Sequence, residues 1–595
     1  MIVAGKKIHE TLVDALKACR RHLVYAAIFS FFVNILYLTQ TIYMLQVYNR
    51  VMPTNGTMTL VYLSLMAMFA YLTLAMLDNL RGRLLLRSSV RLDVLLAQTI
   101  MRHVIALPRQ ALIGFRYQNA MRDFDTFKAA SSGMGVSAIF DSPWVIIYAL
   151  LCTMLHPWLG ALCLVGIVLM ALLTWLQERA TVNRLMAASQ LMGRAHMAQD
   201  LIMQRSDTVR ALGMVDAMVS SQTARRRAGI EDNVTAGMYS NRYRTAGKFL
   251  RLVMQSAGLG FGTLLAIDHK ISPGAVFAAS LLISRAMTPI DQILSSWKGL
   301  VGGYNAFMQL NELFTIAEVT RPVTNLPAPD GTIQVENLSV INHLQRSYVL
   351  NQVSFTVNPG EVVGVIGPSG AGKTTLARIL AGADSYEVGH VRFDGADRRE
   401  WDSQKLAKHV GYVPQDVALF EGSIRDNISR FESIMDGADL EDIDAAVVQA
   451  ARDADIHDFI LRLPNGYNTA LGPNGSGLSA GQSQLIALGR ALYRRPKILI
   501  LDEPNSNMDQ AGEALLVRAL TLFRSLGSSV VVIAHRAGIL GAVDKILILQ
   551  SGRVQFYGPR EEAAQVRVAS IGGDNVEEKE SEPGVVKGRI RPLSN

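Results

Sequence analysis

A glycine-rich segment in the second half of the chain limits the possible folds more than any other feature. GPSGAGKTT follows the apolar run EVVGVIG and precedes LARILAG, which predicts a strand, a tight turn and a helix start in that order. Glycines at this spacing let successive backbone N–H groups surround phosphate oxygens, and the helix start adds partial positive charge. Lys373 adds a full charge, and Thr374 has the hydroxyl that ligates Mg²⁺ in such loops. The sequence therefore predicts a phosphate site built from Gly367, Pro368, Ser369, Gly370, Ala371, Gly372, Lys373, Thr374 and Thr375.

Two carboxylates follow a second apolar run, Ile498–Leu501. Such a run predicts a buried strand that ends in Asp502 and Glu503, at the edge of an open α/β sheet where ligands bind. Alone, the pair is equally typical of a solvated acidic turn. Together with Lys373 and Thr374 it predicts that Asp502 holds Mg²⁺ and that Glu503 positions the attacking water.

The segment LSAGQ (478–482) opens another helical pattern. Ser479 and Gln482 fit an S-x-x-Q capping box, so the simplest interpretation is a well-capped helix. A helix start with a bare Gly481 backbone is also an anion site. Because a chain with one phosphate loop has no internal need for a second such helix, we expect it to meet a nucleotide held by another copy.

Composition indicates a membrane protein, since 50% of the 595 residues are hydrophobic and only 18% are charged. The net charge of +8 is compatible with nucleic-acid binding, but basic residues beside apolar spans more simply mark the cytoplasmic side of a membrane. No nucleic-acid partner is therefore expected. The three cysteines have neither a disulfide framework nor metal-ligand spacing.

Six apolar stretches are long enough to cross a bilayer. Arginine-rich connections follow the second and the fourth, so the positive-inside tendency predicts that both termini are cytoplasmic. Each long connection is expected to continue its span as a helix. The predicted spans are 23–49, 58–77, 134–155, 157–177, 249–267 and 273–293.

Arg285 lies about 12 residues past the start of the sixth span, which is about 18 Å and near mid-bilayer. Two interpretations stay open: the charge lines a transport path, or it snorkels or pairs with Asp141 or Asp291.

The predicted domain order begins with an amphipathic basic segment, residues 1–22, expected to lie on an anionic inner leaflet. Residues 566–595 are charged and lack aromatic residues, which predicts a disordered tail. Between them we expect a transmembrane domain (23–304), a linker (305–330) and an α/β domain (331–565).

The motifs together resemble a known family. GPSGAGKT, YVPQD with Gln415, LSAGQ, ILILDEP and a lone His535 after an apolar strand resemble, in order and spacing, the nucleotide-binding domain of ABC transporters. The six spans resemble the exporter-type half-transporter. The resemblance implies an α-helical six-span transmembrane domain followed by an α/β P-loop ABC domain that hydrolyses ATP with Mg²⁺.

The resemblance also implies roles for individual residues. A homodimer is implied, with a heterodimer as the lesser alternative, and two ATP molecules would each lie between one copy's phosphate loop and the other's Ser479, Gly481 and Gln482. Lys373, Glu503 and His535 would be catalytic, His535 by holding the γ-phosphate. The Mg²⁺ ligands implied are Thr374, Gln415 and Asp502. The coupling helices implied are 119–126 and 205–214.

Two short stretches, DEPNSNMD (502–509) and SRAMTPID (284–291), resemble the type I protein-secretion ATPases of the alkaline-protease exporter branch, as does the lack of a preceding peptidase-like domain. This implies a Gram-negative inner membrane, a periplasmic adaptor, an outer-membrane tunnel protein and unfolded polypeptide cargo. One alternative is export of lipid, drug or small peptide. The other, a non-transporting ABC ATPase, is disfavoured by the spans.

The sequence departs from the family pattern at three places. Ala480 replaces a glycine of the signature, Ser483 replaces a more usual basic or polar residue, and the segment 472–477 lacks a common glutamate. The aromatic residue expected to stack on adenine is either Tyr348 or replaced by Ile341.

Overall fold

The structure is a computed structural model, and it describes residues 2–3, 6–107, 117, 119–317, 326–342, 347–534 and 536–563. Internal contacts divide the chain into two compact units, residues 1–319 and 320–595. The finer domain bounds given above stay predictions. The predicted tail, 566–595, and His535 lie outside the described residues.

The described part of the first unit is helical, apart from two short paired strands, β1 (Ile2–Val3) and β2 (Lys6–Lys7). A π-helical turn, Val47–Val51, and the short helix Met52–Thr54 separate the first two long helices. The helices of this unit are α1 (Glu10–Gln46), α2 (Thr57–Ala106), α3 (Ala120–Ser132), α4 (Met134–Asp141), α5 (Trp144–Leu155), α6 (Pro157–Gln204), α7 (Ser206–Ala211), α8 (Val215–Ile267) and α9 (Pro273–Ala317).

Helix length and hydropathy agree with a membrane-spanning unit. Among the described residues, five helices are long and apolar enough to cross a membrane: α1, α2, α6, α8 and α9. The pair α4 and α5, bent by 44°, makes a sixth if it counts as one span. The bend has a local cause, because Pro143 lacks a backbone N–H and its ring clashes with the preceding turn. The six-span prediction holds on that count, and the connections do continue α2, α6 and α8 as long helices.

A buried polar network joins α1, α2 and α4. The Asp141 carboxylate accepts hydrogen bonds from Ser30 Oγ, from Asn34 Nδ2 at 2.6 Å and from Arg81 Nη1 at 3.0 and 3.1 Å. Arg81 and Asp141 are 8% and 6% exposed. Because every polar group needs a partner where water is excluded, this network fixes the three helices relative to one another.

Among the described contacts, Arg285 is paired neither with Asp141 nor with Asp291, so the pairing interpretation is wrong, whereas snorkelling stays a prediction. Its guanidinium lies over the Tyr37 ring, 4.0 Å from the centroid, which is a cation–π contact. Asp141 is bound by Arg81, and Asp291 Oδ2 lies 3.8 Å from Arg251 Nη2. Whether Arg285 lines a path stays a prediction.

The apolar face at the start of the chain packs inside the protein. Helices α2 and α9 cover it with aliphatic and phenylalanine side chains. The buried residues of this cluster include Ile8, Leu12, Ala15, Cys19, Leu92, Leu96, Ile100, Phe307, Leu310 and Phe314. The sequence did not indicate this packing because the two covering helices are distant along the chain, and contact of the basic face with an inner leaflet stays a prediction.

Among its described residues, the second unit contains two main sheets, of six and four strands, and a third sheet of two short strands. Its strands are β3 (Ile333–Asn342), β4 (Ser347–Val357), β5 (Val362–Ile366), β6 (Val388–Phe393), β7 (Ala396–Asp397), β8 (Val410–Val413), β9 (Gly422–Ser423), β10 (Ala470–Leu471), β11 (Ile498–Asp502), β12 (Ser529–Ile533), β13 (Lys545–Gln550) and β14 (Arg553–Pro559). The helices are α10 (Lys373–Ala381), α11 (Ser403–Ala407), α12 (Ile424–Ile428), α13 (Leu440–Asp453), α14 (His457–Leu461), α15 (Ala480–Leu492), α16 (Gln510–Ser525) and α17 (Ala537–Leu540).

The larger sheet positions the candidate site. Its order is β14-β13-β5-β12-β11-β8, with all neighbours parallel except β13 and β14. The strands β5, β11 and β12 are buried at every residue, as expected for a parallel sheet covered on both faces. Parallel strands end at the same edge, so the segments that follow β5, β8 and β11 meet there. The smaller sheet, β4-β3-β6-β7, is antiparallel.

Candidate functional site

The phosphate loop has the predicted local structure, with β5, a glycine turn and α10 starting at Lys373. At two positions of the turn, neighbouring backbone leaves no space for a side chain. A Cβ on Gly367 would overlap the carbonyl oxygen of Leu549, and one on Gly372 would lie 2.7 Å from Val349 O. Gly372 also has φ +96°, in the left-handed region. The close approach of neighbouring backbone therefore excludes larger residues from both ends of the turn.

The Lys373 side chain is folded into the loop and is 6% exposed. Its Nζ donates to Gly367 O at 2.9 Å and to Pro368 O at 3.0 Å. An ammonium has three donors, so one N–H has no acceptor among the described residues. A phosphate oxygen at this place would be a charge-assisted acceptor.

Four predicted residues from three different segments meet beside the loop. Thr374 Oγ1 lies 3.3 Å from Asp502 Oδ1 and 3.4 Å from Gln415 Oε1. Gln415 Nε2 donates to Glu503 Oε2 at 3.2 Å. Residues spread over 130 positions of sequence thus form one hydrogen-bonded cluster at the sheet edge.

Asp502 is fully buried, and burial raises the pKa of its carboxyl to about 6. Within the described part of the chain, its Oδ2 has no hydrogen-bond partner. An unpaired buried carboxylate oxygen costs free energy, which a bound cation would offset. With Thr374 and Gln415 it forms a set of oxygen atoms, the ligands that Mg²⁺ prefers, so these residues fit that ion.

Glu503 has a strained backbone, with φ +49°. The left-handed region is uncommon for a non-glycine residue and costs free energy, so such a residue is held by its surroundings. The backbone N–H of Glu503 donates to Ile533 O at 3.2 Å, at the end of the adjacent strand β12. The sharp turn brings its carboxylate to Gln415.

The signature segment forms the predicted capping box at the start of α15. Ser479 Oγ accepts from the Gln482 backbone N–H at 3.2 Å, and Gln482 Oε1 accepts from Ser479 N at 2.9 Å. Ser479 and Ala480 are exposed. Among the described residues, no hydrogen bond or ion pair joins this segment to the phosphate loop. The two predicted phosphate contacts are therefore not brought together within one chain.

Sequence reasoning missed Gln484, which lies on α15 and is fully buried. Its Nε2 donates to Glu503 O and to Ser506 Oγ, each at 3.2 Å, and its Oε1 accepts from Asn507 N at 2.9 Å. The available signal was a glutamine on the helix face that also carries buried Ala487 and Leu488, three and four residues further on. The capping box of Ser479 and Gln482 explained this segment by itself, so Gln484 was not considered.

The two residues considered for the adenine-stacking position lie next to each other. Ile341 and Tyr348 are directly opposite each other where β3 and β4 meet, and Tyr348 is 56% exposed. The next residue, Val349, has its carbonyl against Gly372 of the phosphate loop. Both candidates therefore lie at the end of the hairpin that borders the loop.

Comparison with known proteins identifies the family. The ABC transporter profile matches residues 350–506. The chain is also 38% identical over 549 residues to the type I secretion system ATP-binding protein PrsD of Rhizobium meliloti, which covers 92% of this chain and 93% of that protein. The chain belongs to the ABC transporter family. This ABC protein is therefore an ATPase whose hydrolysis is coupled to transport, and it binds ATP.

Other relatives extend the comparison. The exporter is 29% identical to the cyclolysin secretion/processing ATP-binding protein CyaB of Bordetella pertussis, over 87% of this chain and 72% of that one. It is 27% identical to the alpha-hemolysin translocation ATP-binding protein HlyB of Proteus vulgaris, over 91% and 76%. A bacterial Atm1-family ABC exporter with ATP bound has a TM-score of 0.79 at 22% identity, covering 94% of this chain and 99% of that chain. This last similarity establishes the ABC exporter fold.

Proposed function

We propose that this protein is the inner-membrane ABC component of a type I secretion system and exports unfolded polypeptide as a homodimer. The observation that carries the proposal is the 38% identity to a type I secretion ATP-binding protein over 92% of this chain. That similarity includes the membrane-spanning unit, which handles cargo, as well as the ATPase unit. A similarity confined to the ATPase unit would support ATP hydrolysis alone.

The site residues have distinct proposed roles. Lys373 and the backbone N–H groups of Gly367–Thr375 bind the phosphates, and Thr374, Gln415 and Asp502 hold Mg²⁺. When bound, Mg²⁺ supplies positive charge against the charge that develops on the transferred phosphoryl group. Glu503 accepts a hydrogen bond from the attacking water and orients it. His535 is proposed to contact the γ-phosphate.

A second copy completes each site in this proposal. The exposed helix start with Ser479, Gly481 and Gln482 has no hydrogen bond or ion pair to its own phosphate loop among the described residues, and it is suited to bind an anion. We propose that it binds the γ-phosphate of the partner's ATP. Two chains would then enclose two ATP molecules, and closure would require both.

The proposed orientation in the membrane follows from charge. Arginine-rich extensions of α2, α6 and α8 lie on the cytoplasmic side, with both termini and the ATPase unit. The start of α3, within 119–126, and α7, within 205–214, are the proposed coupling segments. A periplasmic adaptor and an outer-membrane tunnel protein are the proposed partners for passage out of the cell.

An ATPase measurement on the full-length protein in nanodiscs tests this proposal. The probes are the C-terminal segment of a secreted protein encoded beside this gene and a scrambled version of the same segment. Protein secretion predicts that only the native segment changes the rate, and that Glu503→Gln abolishes both rates. A rate that responds only to lipids or small amphiphiles would instead support the alternative of lipid, drug or small-peptide export.

A further inference from the structure

We propose that Gln484 is a positioning residue, which couples the signature helix α15 to Glu503 of the same chain. The inference rests on the proposed function, in which Glu503 orients the attacking water. Gln484 contacts neither nucleotide nor water in this proposal. It acts through the backbone of the turn that carries the carboxylate.

The hydrogen bonds of Gln484 hold both ends of this turn. Its Nε2 donates to Glu503 O, where the turn begins, and its Oε1 accepts from Asn507 N, where the turn ends. A third bond, to Ser506 Oγ, lies between them. Because the side chain is fully buried, each lost bond would leave a buried polar group without water to replace the partner.

The turn needs such support because its first residue is strained. Glu503 has φ +49°, and a non-glycine residue keeps that conformation only when neighbouring contacts hold it. The turn has one internal bond of its own at this end, from Ser506 N to Glu503 O at 3.2 Å. Gln484 adds bonds from outside the turn, so the direction of the Glu503 side chain depends on where α15 lies.

The same helix also contacts the segment after Gln415. Arg490, about 1.7 helical turns beyond Gln484, donates from Nη1 to Ala418 O at 3.0 Å. The start of the helix carries Ser479. One rigid element of about 20 Å thus connects the signature end with the backbone segments of both Gln415 and Glu503.

This arrangement gives a physical route between the two sites of a dimer. When Ser479 of one chain meets the partner's nucleotide, a shift of α15 moves the Glu503 turn of that same chain. The carboxylate in one site would then be placed only when the other site is occupied. Gln484 is the side chain that transmits the shift to the turn.

The test compares Gln484→Met with the wild type, using the full-length protein in nanodiscs. Methionine has a similar length but makes none of the three hydrogen bonds. We expect kcat to fall about 10- to 100-fold through misplacement of Glu503, while the Kd for ATP stays unchanged. Hydrogen exchange should become faster in peptides that contain 503–508 and stay unchanged in peptides that contain the phosphate loop.

Two further variants make the test specific. Ser506→Ala removes the acceptor of only one of the three Gln484 bonds. It should lower kcat and raise the hydrogen exchange of 503–508 by less than Gln484→Met does. This variant also keeps the proposal testable if Gln484→Met does not fold. Gln449→Met is the matched control and should hydrolyse ATP like the wild type. Gln449 is an exposed glutamine of the same unit, and within the described residues its side chain bonds only Asp453, at 2.7 Å.

Wild-type kcat in Gln484→Met would overturn the proposal. So would a parallel loss of kcat, ATP affinity and thermal stability, since that pattern indicates a structural role alone. The proposed function has a separate readout: if Glu503→Gln still hydrolysed ATP, the role of Glu503 would be wrong. The exchange of 503–508 would in that case still decide whether Gln484 holds the turn.

Discussion

The two units of the chain place the same residue types in opposite positions. In the first unit, large apolar side chains face outward, with Phe69 72% and Ile146 75% exposed, while the ion pair of Arg81 and Asp141 is buried. In the second unit, the central strands β5, β11 and β12 are wholly buried, and the chemically active side chains lie at one edge of the sheet. The difference shows which solvent each surface meets. Lipid accepts apolar side chains but satisfies no polar group, so polar groups of the spans must pair internally.

The largest expected effect concerns the sheet edge of the second unit. Lys373→Ala removes the charge inside the phosphate loop and should lower ATP hydrolysis by about 10²- to 10³-fold. Membrane insertion of the first unit should not change, because the lysine belongs to the other unit. ATPase assays and membrane fractionation measure the two effects. Lys497→Ala, at an exposed lysine of the same unit, is the control and should remain active.

The buried ion pair tests the polar interior of the first unit. Arg81→Leu leaves the Asp141 charge uncompensated and should cost about 3–5 kcal/mol, measured by unfolding in bicelles. The double variant Arg81→Leu, Asp141→Leu should recover much of this loss. Arg210→Ala, which breaks an exposed pair with Asp207, should cost less than about 1 kcal/mol. Equal costs at Arg81 and Arg210 would contradict the comparison.

Two leucines, one in each unit, test directly whether apolar side chains are buried in one unit and exposed to lipid in the other. Leu520 in α16 is 1% exposed and Leu72 in α2 is 61% exposed. Leu520→Ala creates a cavity and should cost about 2–5 kcal/mol of unfolding free energy. Leu72→Ala should cost less than about 1 kcal/mol under the same conditions, because surface substitutions have small effects. A large loss at Leu72 would indicate that a protein surface covers this face.

The smallest expected effects come from two glycines, four residues apart on α9. A Cβ on Gly299 meets nothing within 4 Å, where the helix borders a cavity of about 700 Å³, whereas one on Gly303 would overlap Ala130. Gly299→Ala should therefore stabilise the protein by about 0.5–1 kcal/mol through helix propensity. Gly303→Ala should destabilise it by about 1–3 kcal/mol. Thermal unfolding of both variants gives the sign, and the same sign for both would contradict the packing.

Local patterns predicted much of the fold. The order of β5, glycine turn and α10 is confirmed, as is the buried strand β11 that ends at Asp502. These features depend on residues close together in sequence, such as continuous apolar runs and glycines that need special backbone angles. The capping box of Ser479 and Gln482 is confirmed for the same reason.

Contacts between residues that are far apart in the chain could not be predicted from the sequence. Arg81 and Asp141 are 60 residues apart, and a list of charged residues does not show which carboxylate meets which arginine. For Arg285, pairing with Asp141 or Asp291 was one of the interpretations left open, but its guanidinium lies over the Tyr37 ring. The packing of the N-terminal apolar face against α2 and α9 was not predicted, because these helices lie far along the chain.

By itself, therefore, the sequence determined that the chain has apolar spans, a phosphate loop and the carboxylates of an ATPase, because composition and short spacings encode these. The tertiary structure decided that Thr374, Gln415, Asp502 and Glu503 form one cluster, and that Gln484 holds the turn of Glu503. Parallel strand ends and a buried helix create those contacts. They depend on sheet order and packing, which no local pattern specifies.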